Sequence, residues 1–334
     1  MADRHRDFKN ILVIHFGQLG DVVLALPAIR AVRERFPEAR ITALTGKVSG
    51  EVVELSGFAD EVVAVDRVEL RDGSKLRSIA KILRLTRDLG GRRFDLVIDL
   101  HSLKETNILA WLTGAKHRLL ANRGNRSYHS LGKFDPLPPA EDRSLHLSQS
   151  YMRVLEPLGM DDQPQPVVIV PAETDLEYVR AHILAAGKKP LAGFFPGAGN
   201  PSRCWPLIRF AELAARMQQD GYSPVALLGP EEREMLDDVE NAFPAGTVIA
   251  DRLTIGQFIA AASELAIFVT NDTGPMHLAA LSGVPIVLVI DERAPLTYLP
   301  VSTRLETVNS APIDKIRVDQ VYTAAHKLTA PGGK

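Results

Sequence analysis

The chain has 334 residues, of which 46% are apolar and 24% are charged, and its formal net charge is −2. This length favours two domains, and the nearly balanced charge argues against a chain built to bind nucleic acid. Its only cysteine, Cys204, excludes an internal disulfide.

The N-terminal half alternates the signals for strands and helices. Short apolar runs predict buried strands, and amphipathic spacing predicts helices between them. The predicted strands are 11–16, 41–44, 61–65 and 94–99, and the predicted helices are 21–36 and 76–89. This alternation indicates a parallel sheet that is covered on both faces.

The middle of the chain interrupts this alternation. Residues 116–133 contain five Lys or Arg and no acid, 136–139 predict an irregular loop, and 145–158 predict a helix. Residues 167–170 then predict a short strand between prolines. We place the boundary between the two domains at the end of this segment.

The resulting domains are 1–171 and 172–334, and the second repeats the alternation of the first. Its predicted strands are 191–195, 224–228, 265–270 and 285–290, and its predicted helices are 206–219, 231–242 and 255–263. Two Rossmann-like halves facing each other would place a ligand crevice at the carboxyl ends of their strands.

The segment Asn271–His277 joins a predicted strand to a predicted helix. Asp272, Thr273 and Gly274 lie where this helix begins, a position whose free N–H groups bind anions such as a diphosphate. Asp272 is placed either to orient the loop or to bind a sugar hydroxyl. His277 is either a ligand contact or a buried structural residue.

A second turn, Gly17–Asp21, precedes the first predicted helix. Its glycines, Gly17 and Gly20, allow a tight turn and the close approach of a ligand, although the spacing differs from the dinucleotide-binding GxGxxG motif. Asp21 is either a capping carboxylate or a general base. A helix N-terminus lowers its pKa, whereas desolvation raises the pKa.

Two more loops follow predicted strands of the second half. The first contains Gly197 and Arg203, and Arg203 either binds a phosphate or lies exposed in solvent. We interpret Trp205 as a packing residue rather than a stacking platform. In the second loop, Glu232 is placed either to bind a pair of ribose hydroxyls or to complement a helix dipole.

The basic stretch near the middle of the chain is either a solvated loop or a site for an anionic partner, such as a sugar acid, a phosphate or a membrane headgroup. Its cations are Lys116, Arg118, Arg123, Arg126 and Lys133. His101 and Lys104 follow the strand that ends at Asp99 and would line the same site. The nine histidines and one cysteine show no zinc-ligand spacing, so we expect no metal.

Five segments together resemble glycosyltransferase family 9, the ADP-heptose:lipopolysaccharide heptosyltransferases. They are 20–28, 94–100, 196–198 with 205–206, 229–232 and 272–278. Each segment is short, but all five follow one another in the order that the family shows, along nearly the whole chain.

The resemblance implies an α/β chain of the GT-B class, with two Rossmann-like parallel-sheet domains that face a central cleft. The first would bind the acceptor and the second the nucleotide sugar. It also implies an inverting transfer of heptose, without cofactor or metal, from ADP-heptose to a lipid-linked, anionic acceptor of the lipopolysaccharide inner core.

The resemblance also assigns roles to single residues. Asp21 matches the catalytic base, Glu232 the acid that binds the adenosine ribose, and residues 272–274 the loop at the heptose and diphosphate. Gly197, Arg203 and His277 complete the predicted donor site. The predicted acceptor site consists of Gly20, His101, Lys104, Arg123 and Arg126. The family commonly has lysine where this chain has Arg203, which keeps the charge but differs in reach and geometry.

Other functions stay open beside heptose transfer. They are a transferase for another nucleotide sugar, a nucleotide-sugar epimerase or hydrolase, and a non-catalytic binding module; ligand-type loops in both halves favour an enzyme. No apolar run reaches the length of a membrane span, and the charged N-terminus lacks a signal-peptide core. We therefore expect a cytoplasmic protein, with peripheral contact to the inner membrane left open.

Overall fold

The computed structural model describes residues 7–66, 75–160, 163–185, 190–200 and 203–330, and for 75–82 it describes the backbone alone. The chain divides into two compact units, Met1–Gln165 and Pro166–Lys334. Each unit is built around one parallel β-sheet.

The first unit has a five-stranded sheet in the order β3-β2-β1-β4-β5, and every strand pair is parallel. Its strands are β1 Asn10–His15, β2 Arg40–Gly46, β3 Glu61–Val65, β4 Leu96–Asp99 and β5 His117–Leu120. Its helices are α1 Leu19–Arg35, α2 Lys47–Ser56, α3 Lys75–Gly91, α4 Lys104–Leu112 and α5 Leu147–Arg153.

Helices cover both faces of this sheet, as the continuous apolar strands predict. Helix α1 packs against α2 and α5, and α3 packs against α4. Leu89 of α3 and Ala110 of α4 share one core cluster with Leu12 and Ile14 of β1. Polar residues that follow β1 and β4 therefore emerge at the carboxyl edge of a buried sheet.

The second unit has a six-stranded parallel sheet in the order β11-β10-β9-β6-β7-β8. Its strands are β6 Leu191–Phe195, β7 Ser223–Leu227, β8 Val248–Ala250, β9 Ile267–Asn271, β10 Ile286–Asp291 and β11 Leu305–Ser310. Its helices are α6 Glu173–Tyr178, α7 Leu207–Gln219, α8 Leu236–Ala242, α9 Ile255–Ser263, α10 Gly274–Ser282 and α11 Val318–Thr329.

The predicted strand at 167–170 is wrong. This segment is an extended connection in which Val168 and Val170 are 60% and 86% exposed. The Ile169 N–H donates a single hydrogen bond to the Leu281 carbonyl, at 2.8 Å. The neighbouring prolines, which carry no N–H group, limit the ladder of hydrogen bonds that a strand needs.

Two predicted helices are shorter than the sequence indicates. The helix predicted at 145–158 is α5 followed by a 3₁₀ turn, Glu156–Leu158. The helix predicted at 231–242 begins with a 3₁₀ turn, Arg233–Met235, before α8. In both places the apolar spacing is right, but the regular α-helical part is seven residues long and covers only about half of the predicted range. Among the described helices, none has the length and apolarity needed to cross a bilayer.

Candidate active site

Asp21 lies on the first turn of α1, just after β1 ends. Its Oδ2 accepts a hydrogen bond from the Gln18 N–H at 3.2 Å, so the carboxylate does cap the helix. Burial raises the pKa of this carboxyl, while the Gln18 hydrogen bond and the charge of Arg123 act in the opposite direction. Capping and general-base chemistry are therefore compatible at this position.

Gly17 makes room for the Asp21 side chain. A Cβ atom at Gly17 would lie 2.5 Å from the Cβ of Asp21, 2.5 Å from Cε1 of His15 and 3.0 Å from Oδ2 of Asp21. Carbon atoms in ordinary contact are about 3.5–4.0 Å apart. The position thus requires glycine because two side chains press against its backbone. Gly20 lies beside Asp21 on the same helical turn.

His15 contacts this turn directly, and His101 stacks on His15. His15, the last residue of β1, is buried, and its Nδ1 accepts the Gly17 N–H at 3.2 Å. Its ring stacks on His101, with centroids 5.0 Å apart, and meets Tyr151 edge-on at 4.9 Å. The structure therefore joins the loop after β1 to the loop after β4, and it places the predicted site residue His101 close to the turn that carries Asp21.

Asp99 is a site residue that the sequence interpretation missed. This last residue of β4 is fully buried, and burial raises the pKa of its carboxyl to about 6. It accepts hydrogen bonds from the Ser102 N–H at 2.7 Å and from Nδ2 of Asn107 at 2.8 Å. Ser102 has φ of +45°, an uncommon conformation for a residue other than glycine. Asp99 thus stabilises the sharp turn of residues 99–102, which contains His101.

The predicted acceptor cations are partly balanced by Glu141. Arg123 donates from Nε to Glu141 at 3.1 Å and from Nη1 to the His101 carbonyl at 2.7 Å. Arg126 also pairs with Glu141. Lys104, at the start of α4, lies 5.4 Å from the centre of the Tyr128 ring. The structure thus brings Arg123 to the loop of His101, whereas Glu141 neutralises part of the basic stretch.

In the second unit, the Glu232 side chain packs against the backbone of two glycines. A Cβ atom at Gly197, after β6, would lie 2.1 Å from Cγ of Glu232, and one at Gly229, after β7, would lie 2.6 Å from its Oε2. Glu232 is 7% exposed. Burial, with the nearby charge of Glu231, raises the pKa of its carboxyl. The carboxylate lies at the carboxyl edge of the sheet, where Rossmann-like folds bind ribose hydroxyls.

Asn271, the last residue of β9, begins the segment that the sequence singled out, but the sequence interpretation gave it no role of its own. Its Nδ2 donates to the carbonyls of Pro196 at 2.8 Å and Gly197 at 3.2 Å, and its Oδ1 accepts the Trp205 N–H at 2.9 Å. Trp205 is fully buried and donates from Nε1 to the Ile316 carbonyl at 2.8 Å. Trp205 is therefore a packing residue, as predicted, and Asn271 fixes the loop after β6.

The predicted diphosphate loop follows β9 directly. Arg203 Nη1 lies 3.3 Å from Oδ2 of Asp272. Burial raises the pKa of the Asp272 carboxyl, and the charge of Arg203 lowers it. Thr273 is the N-cap of α10, and Gly274 is its first residue. The loop thus combines a cation with a helix N-terminus, a pair of features suited to an anionic ligand.

His277 lies one turn into α10 and is 6% exposed. It shares the N-terminal turn with Gly274, so its place beside the predicted diphosphate loop agrees with both interpretations of the sequence. Groups of three or more His, Cys, Asp or Glu side chains that would suit a metal ion do not occur in the described part of the chain.

A family model for glycosyltransferase family 9 (heptosyltransferase) matches residues 82–323, well over half of the chain. The chain belongs to this family. Lipopolysaccharide heptosyltransferase 2 of Escherichia coli strain K12 is 23% identical over 334 residues, covering 95% of this chain and 90% of that protein. The family 9 resemblance found in the sequence is therefore confirmed, and the protein is a glycosyltransferase.

Solved structures of family 9 enzymes have the same fold. The structure of a glycosyl transferase family 9 protein from Veillonella parvula DSM 2008 has a TM-score of 0.85 at 26% identity and covers 97% of both chains. E. coli heptosyltransferase WaaC with ADP has a TM-score of 0.79 at 16% identity and covers 96% of this chain and 99% of that one. The predicted GT-B class, with two Rossmann-like parallel-sheet domains, is confirmed.

Proposed function

We propose that this family 9 enzyme transfers heptose from ADP-heptose to a lipid-linked, anionic acceptor of the lipopolysaccharide inner core, with inversion. The relative named lipopolysaccharide heptosyltransferase 2 supports the choice of sugar and acceptor. The heptosyltransferase WaaC solved with ADP supports the nucleotide. The observation that carries the proposal is the desolvated Asp21 carboxylate at the carboxyl end of β1, in the space that Gly17 leaves open.

Asp21 is the general base in this proposal. Its carboxylate takes the proton of an acceptor hydroxyl while that oxygen forms a bond to the anomeric carbon of the heptose. The bond from this carbon to the diphosphate oxygen breaks on the opposite face, and ADP leaves with the electron pair. The raised pKa of Asp21 makes its carboxylate a stronger base than an exposed aspartate.

The second unit supplies the donor site. Glu232, buried between two glycines at the carboxyl edge of the sheet, would accept hydrogen bonds from the ribose hydroxyls. Arg203 and the N-terminus of α10, beginning at Gly274, would stabilise the charge that develops on the diphosphate. Asp272 orients Arg203 in this arrangement and lies where a hydroxyl of the sugar would bind. These groups would balance the diphosphate without a metal ion.

The first unit supplies the acceptor site. Arg123 is anchored on two sides, by Glu141 and by the His101 carbonyl, so its guanidinium is held in one orientation. An anionic group of the acceptor would bind to this cation and to Arg126 and Lys104. A fixed guanidinium loses little side-chain entropy when it binds an anion.

The test compares Asp21→Asn and Asp21→Ala with the wild type, using ADP-heptose and the lipopolysaccharide acceptor. We expect turnover to fall about 10²–10⁴-fold, the usual contribution of a general base, while calorimetric affinity for ADP stays unchanged. Glu34→Gln is the matched control, because Glu34 is a carboxylate of the same helix and its side chain is 69% exposed. Wild-type turnover in either Asp21 variant would remove the base from the mechanism.

Two further arms of the same experiment address the donor and the competing activities. Thermal stabilisation by ADP in excess of that by UDP or GDP supports the adenine nucleotide. Release of ADP from ADP-heptose without any acceptor would favour a hydrolase, and a turnover lost with EDTA and restored by a divalent cation would contradict metal independence.

A further inference from the structure

Helices α3 and α4 lie next to each other on one face of the five-stranded sheet. Both connect parallel strands, β3 to β4 and β4 to β5, and right-handed connections in these directions place them on the same face. Their inner sides meet in one core, through Leu89 and Ala110. An ideal Cβ at Gly90 would lie 3.9 Å from the Leu112 carbonyl. Their outer sides therefore form one continuous surface.

This surface exposes large apolar side chains. On α4, Ile108, Trp111 and Leu112 are 42%, 52% and 42% exposed, and on α3 Leu83 is 64% exposed. The spacing of three and four residues places the α4 members on one side of the helix. A tryptophan that shares one side of a helix with two exposed aliphatic residues, next to a helix that exposes a further leucine, is unlike the scattered single exposures of an ordinary soluble surface.

Cations surround these apolar residues. Among the side chains that the structure describes, exposed cations of the two helices and of the residues that follow them include Arg84, Arg87, Arg93, Lys104 and Lys116. Of the nearby acids, Asp88 is paired with Arg92 at 2.9 Å, which leaves Glu105 as the acid on the outer side of α4. Positive charge therefore predominates among the described residues of this face. The eight residues Leu83, Arg84, Arg87, Lys104, Ile108, Trp111, Leu112 and Lys116 are named here the α3–α4 surface.

We propose that the α3–α4 surface docks the enzyme on an anionic lipid bilayer. Trp111 and its aliphatic neighbours would enter the headgroup region, and the surrounding cations would bind lipid phosphates. Tryptophan at the interface, aliphatic side chains beneath it and Lys or Arg around it are the composition of helices that lie in the plane of a membrane. The choice of a bilayer rests on the proposed lipid-linked acceptor, because such a substrate is anchored in one.

The charge of the surface favours a bilayer over a second copy of this chain. Two copies that meet through the same patch would bring like charges together, since a two-fold interface pairs a surface with itself. Anionic headgroups instead neutralise these cations and accept the apolar side chains at the same time. Self-association is therefore the competing outcome that the experiment includes.

The experiment measures sedimentation of the full chain with vesicles of phosphatidylethanolamine and phosphatidylglycerol, and with vesicles of phosphatidylcholine alone. We expect the wild type to bind the anionic vesicles, and to bind them less as salt is raised. Ile108→Ser with Trp111→Ser should lower the vesicle partition coefficient on the order of tenfold. Arg84→Gln with Arg87→Gln should lower it about fivefold for each cation. Ile208→Ser is the control, because Ile208 is a 67% exposed isoleucine of the second unit.

Thermal unfolding confirms that each variant is folded, and transfer to a water-soluble acceptor without acyl chains separates docking from catalysis. Retained transfer in the Ile108→Ser, Trp111→Ser variant, together with lost vesicle binding, supports the docking surface. Equal vesicle binding by the wild type and this variant, or no binding by the wild type, overturns it. A wild-type dimer that this variant dissociates would assign the surface to self-association instead. Absence of transfer by the wild type would count against the proposed function alone.

Discussion

Gly17→Ala tests whether the space beside the Asp21 carboxylate controls catalysis. The added methyl group would lie 2.5 Å from both Cβ of Asp21 and Cε1 of His15. Since carbon atoms in contact are about 3.5 Å apart or more, each overlap amounts to about 1 Å. His15 is buried and stacked on His101, so the strain falls mainly on the first turn of α1, which carries Asp21.

The size of the effect follows from this displacement. Insertion of a methyl group into a packed site costs about 1–3 kcal/mol of the free energy of unfolding. A shift of about 1 Å in a catalytic group lowers the rate about 100-fold. We therefore expect Gly17→Ala to lower kcat about 100-fold, with a modest loss of stability. ADP affinity should stay unchanged, because the proposed donor residues lie in the second unit.

The assay is steady-state transfer with both substrates varied, accompanied by chemical unfolding and ADP calorimetry. Gly91→Ala is the matched control, since a Cβ atom at Gly91 would meet nothing within 4 Å. We expect this control to have wild-type kcat. A Gly17→Ala enzyme that is folded and has wild-type kcat would refute the argument that this glycine positions the base.

Three further predictions address other parts of the two sites. The folded-state pKa of Asp99 is raised from 3.8 to about 6. The folded chain thus holds this proton more tightly than the unfolded chain, so the free energy of unfolding should fall by up to about 3 kcal/mol as pH rises from about 4 to about 6. Urea titrations of the wild type and of Asp99→Asn measure this effect. A difference in free energy of unfolding between the two proteins that does not change with pH would contradict it. Asn271→Ala removes the hydrogen bonds from the Asn271 side chain to the Trp205 N–H and to two carbonyls. Chemical unfolding should therefore show a loss of about 2–4 kcal/mol in stability, and ADP calorimetry should show weaker nucleotide binding. His15→Asn keeps an acceptor near Nδ1, whereas His15→Leu does not, so kcat should fall further in the leucine variant; equal kcat values at equal stability would refute a positioning role.

Most of the sheet could be predicted from the sequence because its strands are buried on both faces. A run such as Ile11–Ile14 is apolar at every position, and only a fully buried strand needs that pattern. The edge strand β11 lacks this signal. Strand β11, Leu305–Ser310, alternates partly buried with exposed residues and contains polar side chains, so it was not predicted.

The parts of the site that could be predicted are those marked by local chain geometry. A glycine-rich turn between a strand and a helix identifies Asp21, and similar turns identify Glu232 and residues 272–274. The sequence assigned no role to Asp99 or Asn271, because each is a polar residue at the end of an apolar strand and nothing in the sequence marks its hydrogen-bond partners. The partners of Asp99 are local, Ser102 and Asn107, but they are reached through a turn with an uncommon backbone conformation. Asn271 instead bonds to Trp205, in the loop after β6, more than 60 residues away. Only the folded structure shows these contacts.

The two units place a carboxylate at the edge of a sheet by the same physical means, but a neighbouring charge acts on its pKa with opposite sign in the two units. Asp21 and Glu232 each occupy space that a neighbouring glycine leaves free, and burial raises the pKa of both. The charge of Arg123 opposes this shift at Asp21, whereas that of Glu231 reinforces it at Glu232. Arg123 thereby keeps Asp21 ionised over a wider pH range than burial alone would allow, since a base must be ionised before it accepts a proton. Arg123 is also one of the cations proposed to bind the acceptor, so the same side chain acts on the base and on the substrate.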